Sequence, residues 1–235
     1  MAYRAGLLLT APGIVSLDEL GKLMPDGVQP VIATILMSSV TPEGVAEYES
    51  GVEYVSRQLA LGKVDCVVQI TVSAALSGRR ETPDEMAQKI RSVVDVPVVI
   101  AARASANALK FMGIRRPIVV GAFNPLMLER LRQLFIWEGV EPFAAVGAGM
   151  EHPNQMHSAS SDQAFHLALD AARRYPGGDG IWIGGGGWPI LDRIHELEQL
   201  TNLPVVASNT ALIWELQRLS GIATPRERYG RLLRG

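Results

Sequence analysis

Cysteine is almost missing from this chain: among 235 residues there is one, Cys66. A single cysteine excludes an internal disulfide and accords with a reducing compartment. Neither sign of charge is in excess. With 22 Lys and Arg against 24 Asp and Glu, the formal net charge is −2, which gives no electrostatic case for nucleic acid or a membrane surface. No stretch approaches the roughly 20 apolar residues of a membrane helix. The apolar run in "MAYRAGLLLTAPG" is broken early by glycine and proline, so no leader is expected. These absences predict a soluble, cytoplasmic protein without nucleic-acid or membrane partners. Motifs are missing too: there is no G-x-x-x-x-G-K-[ST], no G-x-S-x-G and no G-x-G-x-x-G dinucleotide fingerprint.

What is present suffices for a large core, with 48% hydrophobic and 20% charged residues. Short runs rich in Val and Ile recur: "AGLLLT", "PVIATILM", "CVVQITV", "VPVVIAA", "RPIVVGAF", "FAAVGAG", "DGIWIGG" and "LPVVASN". They are continuous rather than alternating, and amphipathic stretches such as "TPEGVAEYESGVEYVSRQLALG" lie between them. Strands buried on both faces and separated by helices indicate parallel sheet, hence an α/β fold. Thr41 reads as an N-cap with Pro42 in the first turn, and "SASSDQAF" as a similar start. Gly62, Gly113 and Gly221 fall where helix C-caps are expected.

The chain also repeats itself. "IRSVVDVPVVIAARASANALKFMGI" resembles "LEQLTNLPVVASNTALIWELQRLSGI", with Pro97 and Pro204 in register; "VDCVVQITVSAA" likewise parallels "GDGIWIGGGGWP". Such a half-length repeat implies two similar Rossmann-like lobes with parallel sheets related by a pseudo-twofold. We expect lobe one over residues 1–115 and lobe two over 116–235, one of them taking back the last segment of the chain. Ligands of open parallel sheets bind beyond the C-terminal strand ends. Two facing lobes bring both sets of ends to one cleft.

The cleft lining follows from those ends. Lobe one supplies "TAPG" with Thr10 and Pro12, "MSSVTPEG" with Met37 and Val40, and "TVSAALSG" with Ser73 and Ala74. Lobe two supplies "GAFNP" with Phe123, "GAGMEHP" with His152, "GGGGW" with Gly185, Gly186 and Gly187, and "SNTA". Small residues with free backbone N–H groups at helix N-termini suit a small carboxylate. Met37, Val40, Phe123 and Trp188, if they line the cleft rather than the core, favour an aryl- or alkyl-substituted acid over aspartate. His152 and His157 in "EHPNQMH" read as a solvated loop, and no second cluster makes them metal ligands. Arg79 and Arg80 either clamp a carboxylate or lie on the surface. Ser73 has no assignable base, so its better role is donor to an anion.

Taken together, "SSVTPEG", "ALKFMGIRRPIVVGAF", "DGIWIGGGGWPILD", "LPVVASNTALIWELQRLSG" and "YGRLL" resemble the aspartate/glutamate racemase superfamily, in the branch of arylmalonate decarboxylases and maleate cis-trans isomerases. The resemblance covers nearly the whole chain. It implies chemistry at a carbon next to a carboxylate, with no metal and no organic cofactor. Racemases and isomerases of this kind carry a cysteine at one strand end of each lobe, decarboxylases only in lobe two. Here those positions hold Val72 and Gly185, and Cys66 lies near the start of its strand, too early to reach the cleft. An aromatic hydroxyl that binds the carboxylate is replaced by Phe123, and of a Thr-Ser donor pair only Ser73 keeps a hydroxyl beside Ala74.

The expectation is therefore a cofactor-independent carbon-acid enzyme, decarboxylase- or isomerase-like, acting on a small carboxylate without a cysteine. Backbone donors at Gly185, Gly186 and Gly187 with Ser73 stabilise the developing charge, and water or His152 returns the proton. Two alternatives stay open: a hydrolase or ring-opening enzyme for a small cyclic amide or lactone using Ser73, His152 and Glu151, and a carboxylate-binding pseudoenzyme. Self-association into a homo-oligomer is left open as well.

Overall fold

Every apolar run becomes a strand. The computed structural model describes residues 2–234. In the first half, β1 (Tyr3–Thr10), α1 (Ile14–Leu23), β2 (Val28–Ile35), α2 (Pro42–Leu61), β3 (Cys66–Gln69), α3 (Thr82–Arg91), β4 (Val98–Ile100) and α4 (Ala101–Phe111) follow one another. The second half continues with β5 (Ile118–Phe123), α5 (Pro125–Trp137), β6 (Ala144–Met150), α6 (Pro153–His157), α7 (Ser161–Arg174), β7 (Ile181–Gly184), α8 (Ile194–Thr201), β8 (Val205–Ala207) and α9 (Ser208–Ser220). All strand pairings are parallel. The sheet orders β2-β1-β3-β4 and β6-β5-β7-β8 are one order displaced by four strands. The sequence repeat is thus a repeat of connectivity.

Burial explains why the inner strands read as unbroken apolar runs. Every residue of β3, β5 and β7 is buried, because helices cover both faces. Of the four edge strands, β2 and β6 are partly exposed, whereas β4 and β8 are largely or fully buried. Thr41 caps α2 by accepting from the Gly44 N–H, Asn124 caps α5 through Met127 and Ser160 caps α7 through Gln163. Gly221 closes α9 at φ +70°, in the left-handed region where glycine carries no steric penalty.

The halves join along helices. α4 packs on α9, with Phe111 and Trp214 ring centroids 5.0 Å apart. The end of the chain returns to the first half: the Asp26 N–H donates to Thr224 Oγ1 at 2.9 Å and Arg226 Nη2 to the Met24 carbonyl at 3.1 Å. Among the described residues, no helix is long and apolar enough to cross a membrane.

Candidate active site

The C-terminal ends of strands from both sheets converge on a cavity of about 50 Å³. Of the residues expected there, Thr10, Met37, Val40, Ser73, Phe123, Gly185, Gly186 and Gly187 line it. Val72 lines it too, so the two positions where the resemblance puts cysteines meet in one cavity, one from each lobe. Three expected residues lie outside the lining. Pro12 is exposed at the turn before α1, Ala74 is packed away within the core, and His152 faces solvent. Trp188 also leaves the cleft: it is buried in the core, its indole nitrogen without a partner among the described residues. Arg79 pairs with Glu85 on the surface rather than with the cleft. Cys66, first residue of β3, sits at the opposite end of that strand from the cavity, and burial pushes its thiol up to about 11.

On the lobe-one side the polar groups are hydroxyls. Those of Thr10 and Thr71 hydrogen-bond to each other across β1 and β3. Buried Gln69 fixes the exit of β3: its Nε2 donates to the Thr71 carbonyl at 2.8 Å and to Tyr48 Oη at 3.3 Å, while its Oε1 accepts from the Ala101 N–H at 3.3 Å. One 3-10 turn, Val72–Ala75, follows. In it Ser73 Oγ points at Met37 Sδ, 3.8 Å away. A thioether is a weak acceptor, so an arriving anion can take that proton.

On the lobe-two side the polar groups are the His157 ring and the glycine backbone, and the four glycines have different reasons. A Cβ on Gly184 would fall 1.8 Å from the Trp182 ring. Gly185 sits at φ +120°, with its missing Cβ 2.8 Å from that of Ala122. Gly187 leaves room for the His157 ring, whose Cδ2 and Nε2 lie 2.5 and 2.6 Å from where a Cβ would be. Gly186 has more space, but its carbonyl is gripped: Ser16 Oγ donates to it at 2.6 Å and Asn209 Nδ2 at 3.4 Å.

Behind this loop stands a carboxylate from the other lobe. Glu19 on α1 accepts from the N–H groups of Ile190 and Leu191 at 2.8 and 2.9 Å, and from Asn209 Nδ2 at 2.8 Å. It is only 4% exposed. Burial raises its pKa above the ordinary carboxylate value, while those three donors pull the other way. Neither Glu19 nor Ser16 was foreseeable from sequence, because their partners lie about 170 positions away.

The stretch read as a solvated loop contains α6. Gln155 Oε1 accepts from the N–H groups of Glu151 and His152 at 2.8 and 2.9 Å, and Pro153 opens the helix. Helical spacing then puts Pro153, Met156 and His157 on one face, and all three line the cavity. Pro153 at the first helical position was the signal for it. His157 is half-buried, and desolvation lowers its pKa below the ordinary imidazole value. His152 instead turns its Nδ1 toward the Ser38 carbonyl, 3.5 Å away. With Ser73 aimed at Met37, the nucleophile–base pair of a hydrolase is not assembled. Among the described residues no group of three or more His, Cys, Asp or Glu is placed to hold a metal ion.

The sequence profile of the arylmalonate decarboxylase family matches residues 7–233. The chain belongs to that family. It is 32% identical over 227 residues to the arylmalonate decarboxylase of Bordetella bronchiseptica, covering 94% of this chain and 92% of that one. It superposes at a TM-score of 0.90 on a liganded arylmalonate decarboxylase in which one glycine was changed to cysteine and one cysteine to serine (25% identity; 98% of each chain). It matches a cysteine-to-alanine variant of Pseudomonas putida S16 maleate isomerase with maleate at 0.91 (19% identity; 99% and 98% of the chains). At Gly185, where the resemblance expects a cysteine, the backbone sits at φ +120°, a region that L-residues rarely adopt.

Proposed function

We propose that this chain is a cofactor-independent lyase that removes CO₂ from a small substituted malonate without a thiol. The observation that carries the reading is the division of the cavity: hydroxyls of Thr10, Thr71 and Ser73 on one side, the backbone of Gly185, Gly186 and Gly187 on the other, and apolar walls from Met37, Val40, Ile70 and Phe123. One carboxylate of a malonate binds to the donors. The other then lies against apolar side chains, where an anion is poorly solvated and neutral CO₂ is not. As the carbon–carbon bond breaks, charge moves onto the held carboxylate as an enediolate. Donors fixed in advance around that oxygen are worth about 3 kcal/mol each. No base is needed for this step, which is why a site lacking both thiols can still run it. Relatives that are decarboxylases support the same reaction class.

The volume also bears on the substrate. About 50 Å³ holds a handful of water-sized groups at roughly 10–15 Å³ each, which favours a malonate with a short alkyl arm over a bulkier one.

Proton NMR in D₂O with methylmalonate, phenylmalonate, maleate, aspartate, hydantoin and a simple lactone tests this. The expected result is an α-deuterated monoacid from a malonate, with the other compounds unchanged. Fumarate from maleate would make the protein an isomerase, and hydrolysis confined to the cyclic compounds would revive the ring-opening reading. The second reading, a carboxylate binder without turnover, is favoured by the absence of a thiol from the lining. No reaction across the panel, together with a melting temperature raised by dicarboxylates, would select it.

A further inference from the structure

Loss of CO₂ leaves a carbanion that needs a proton. Among the described residues lining the cavity, His157 is the one whose side chain titrates. Its ring edge lies against the glycine loop so closely that it occupies the side-chain space of residue 187. Any other residue there would displace it. The histidine and the glycine therefore form one feature, an imidazole set beside the backbone donors on the lobe-two wall.

We propose that the His157 imidazolium is the general acid that protonates the α-carbon after CO₂ leaves, an assignment that rests on the lyase reading above. The bond to the departing carboxylate breaks with its electron pair left on the α-carbon, giving CO₂ and the enediolate. The imidazolium N–H then breaks, its proton forms the new C–H bond, and the electron pair stays on nitrogen. Water reprotonates the imidazole, and the hydroxide so formed combines with CO₂ as bicarbonate.

The surroundings of the ring give this step a pH signature. On its own segment Glu151 and His152 are exposed. Behind Gly186, Glu19 is occupied by Ile190, Leu191 and Asn209. Past the loop, Asp192 pairs with Lys22 and Arg228, and Arg193 with Asp162 and Glu196. Burial alone therefore sets the ring, and it favours the neutral form in the free protein. A bound dianion reverses that preference and draws a proton onto the ring. It follows that kcat/KM falls as pH rises through a value below that of ordinary imidazole.

The test compares wild type, His157→Gln and Gly187→Ala on the malonate that turns over. His157→Gln should lower kcat by about 100-fold or more, leave KM within a few-fold and abolish the pH limb. Imidazole in the buffer should restore part of the turnover of His157→Ala. Gly187→Ala should mimic His157→Gln with the histidine still present, because its Cβ takes the place of the ring. Turnover by His157→Gln with the wild-type pH limb would overturn the assignment while leaving the lyase reading intact. A wild type that turns over no malonate would overturn both. In that case the His157 ring resonance, followed during a malonate titration, separates a binder, in which the ring pKa rises, from a cavity that takes no anion.

Discussion

The exits of β3 and β7 occupy equivalent places in the two lobes and are built from opposite materials. After β3 the chain makes a 3-10 turn of four buried residues, Val72–Ala75, and offers a hydroxyl from Ser73. After β7 it offers three glycines, Gly185 to Gly187, and no side chain of their own. Side-chain donors can be positioned by their own packing. Backbone donors cannot, so the glycine loop takes its support from elsewhere: Ser16 and Glu19 reach over from α1 in the other lobe, and Asn209 from α9. The two lobes share one strand order but differ at these strand ends, and the end without side chains is the one held by a cross-lobe brace.

The sharpest way to break this comparison is to put side chains back. Gly184→Ala drives a Cβ into Trp182, which is buried and locked edge-on against Phe135, and should cost about 3 kcal/mol in urea unfolding. Gly185→Ala should cost about 1–3 kcal/mol through its positive φ. A Cβ on Gly186 meets nothing closer than the Ser16 hydroxyl at 3.3 Å, with Asn209 Oδ1 next at 3.6 Å, so Gly186→Ala should stay within about 1 kcal/mol of wild type. The reverse change in lobe one, Val72→Gly, should lose about 2 kcal/mol by emptying a buried site and loosening the backbone. Equal stabilities for Gly184→Ala and Gly186→Ala would mean that the four glycines are not there for these separate reasons.

The brace can be tested through pH. In the folded protein the pKa of Glu19 lies above the carboxylate value of 4.5 it takes when solvated. Its contribution is therefore fully present below 4.5 and is lost as pH rises through the raised value. Glu19→Gln should flatten the stability profile over that interval, read as the difference between the two proteins so that other carboxylates cancel. Glu19→Ala should flatten the profile likewise and cost about 3 kcal/mol more than Glu19→Gln, because it strands the N–H groups of Ile190 and Leu191 and the Asn209 amide. A wild-type profile in Glu19→Gln would mean that the carboxylate is not desolvated and the loop is held by other means.

How much of this could be read from sequence follows the same divide. The strands were legible because central parallel strands must be apolar on both faces, and the Pro97–Pro204 register carried the lobe repeat into an identical strand order. Thr41 and Ser160 announced their helices by local cap chemistry. Contacts that span the lobes left no local trace: nothing near Glu19 or Ser16 marks them as supports for residues 186–191. Trp188 follows the glycines and so reads as cleft, yet its ring turns into the core. His152 and His157 are a similar pair, told apart only once Pro153 is taken as a helix start, which rotates His157 inward and leaves His152 outside.

The smallest effect expected is also the one that most directly isolates the thiol. An arylmalonate decarboxylase on which this chain superposes carries cysteine substitutions, and this chain has one cysteine, at the end of β3 away from the cavity. Cys66 is fully buried and its thiol is held protonated by desolvation, up to about 11. A thiolate is the reactive form, so N-ethylmaleimide should leave the native protein unmodified and its turnover unchanged. Cys66→Ala should lose on the order of 1 kcal/mol of stability and keep the wild-type pH profile, whereas His157→Gln keeps stability and loses the profile. Opposite outcomes for the two variants separate packing from proton transfer. Inactivation by the maleimide at neutral pH, or a shifted pH limb in Cys66→Ala, would return the chemistry to sulfur and leave the glycine loop without a catalytic explanation.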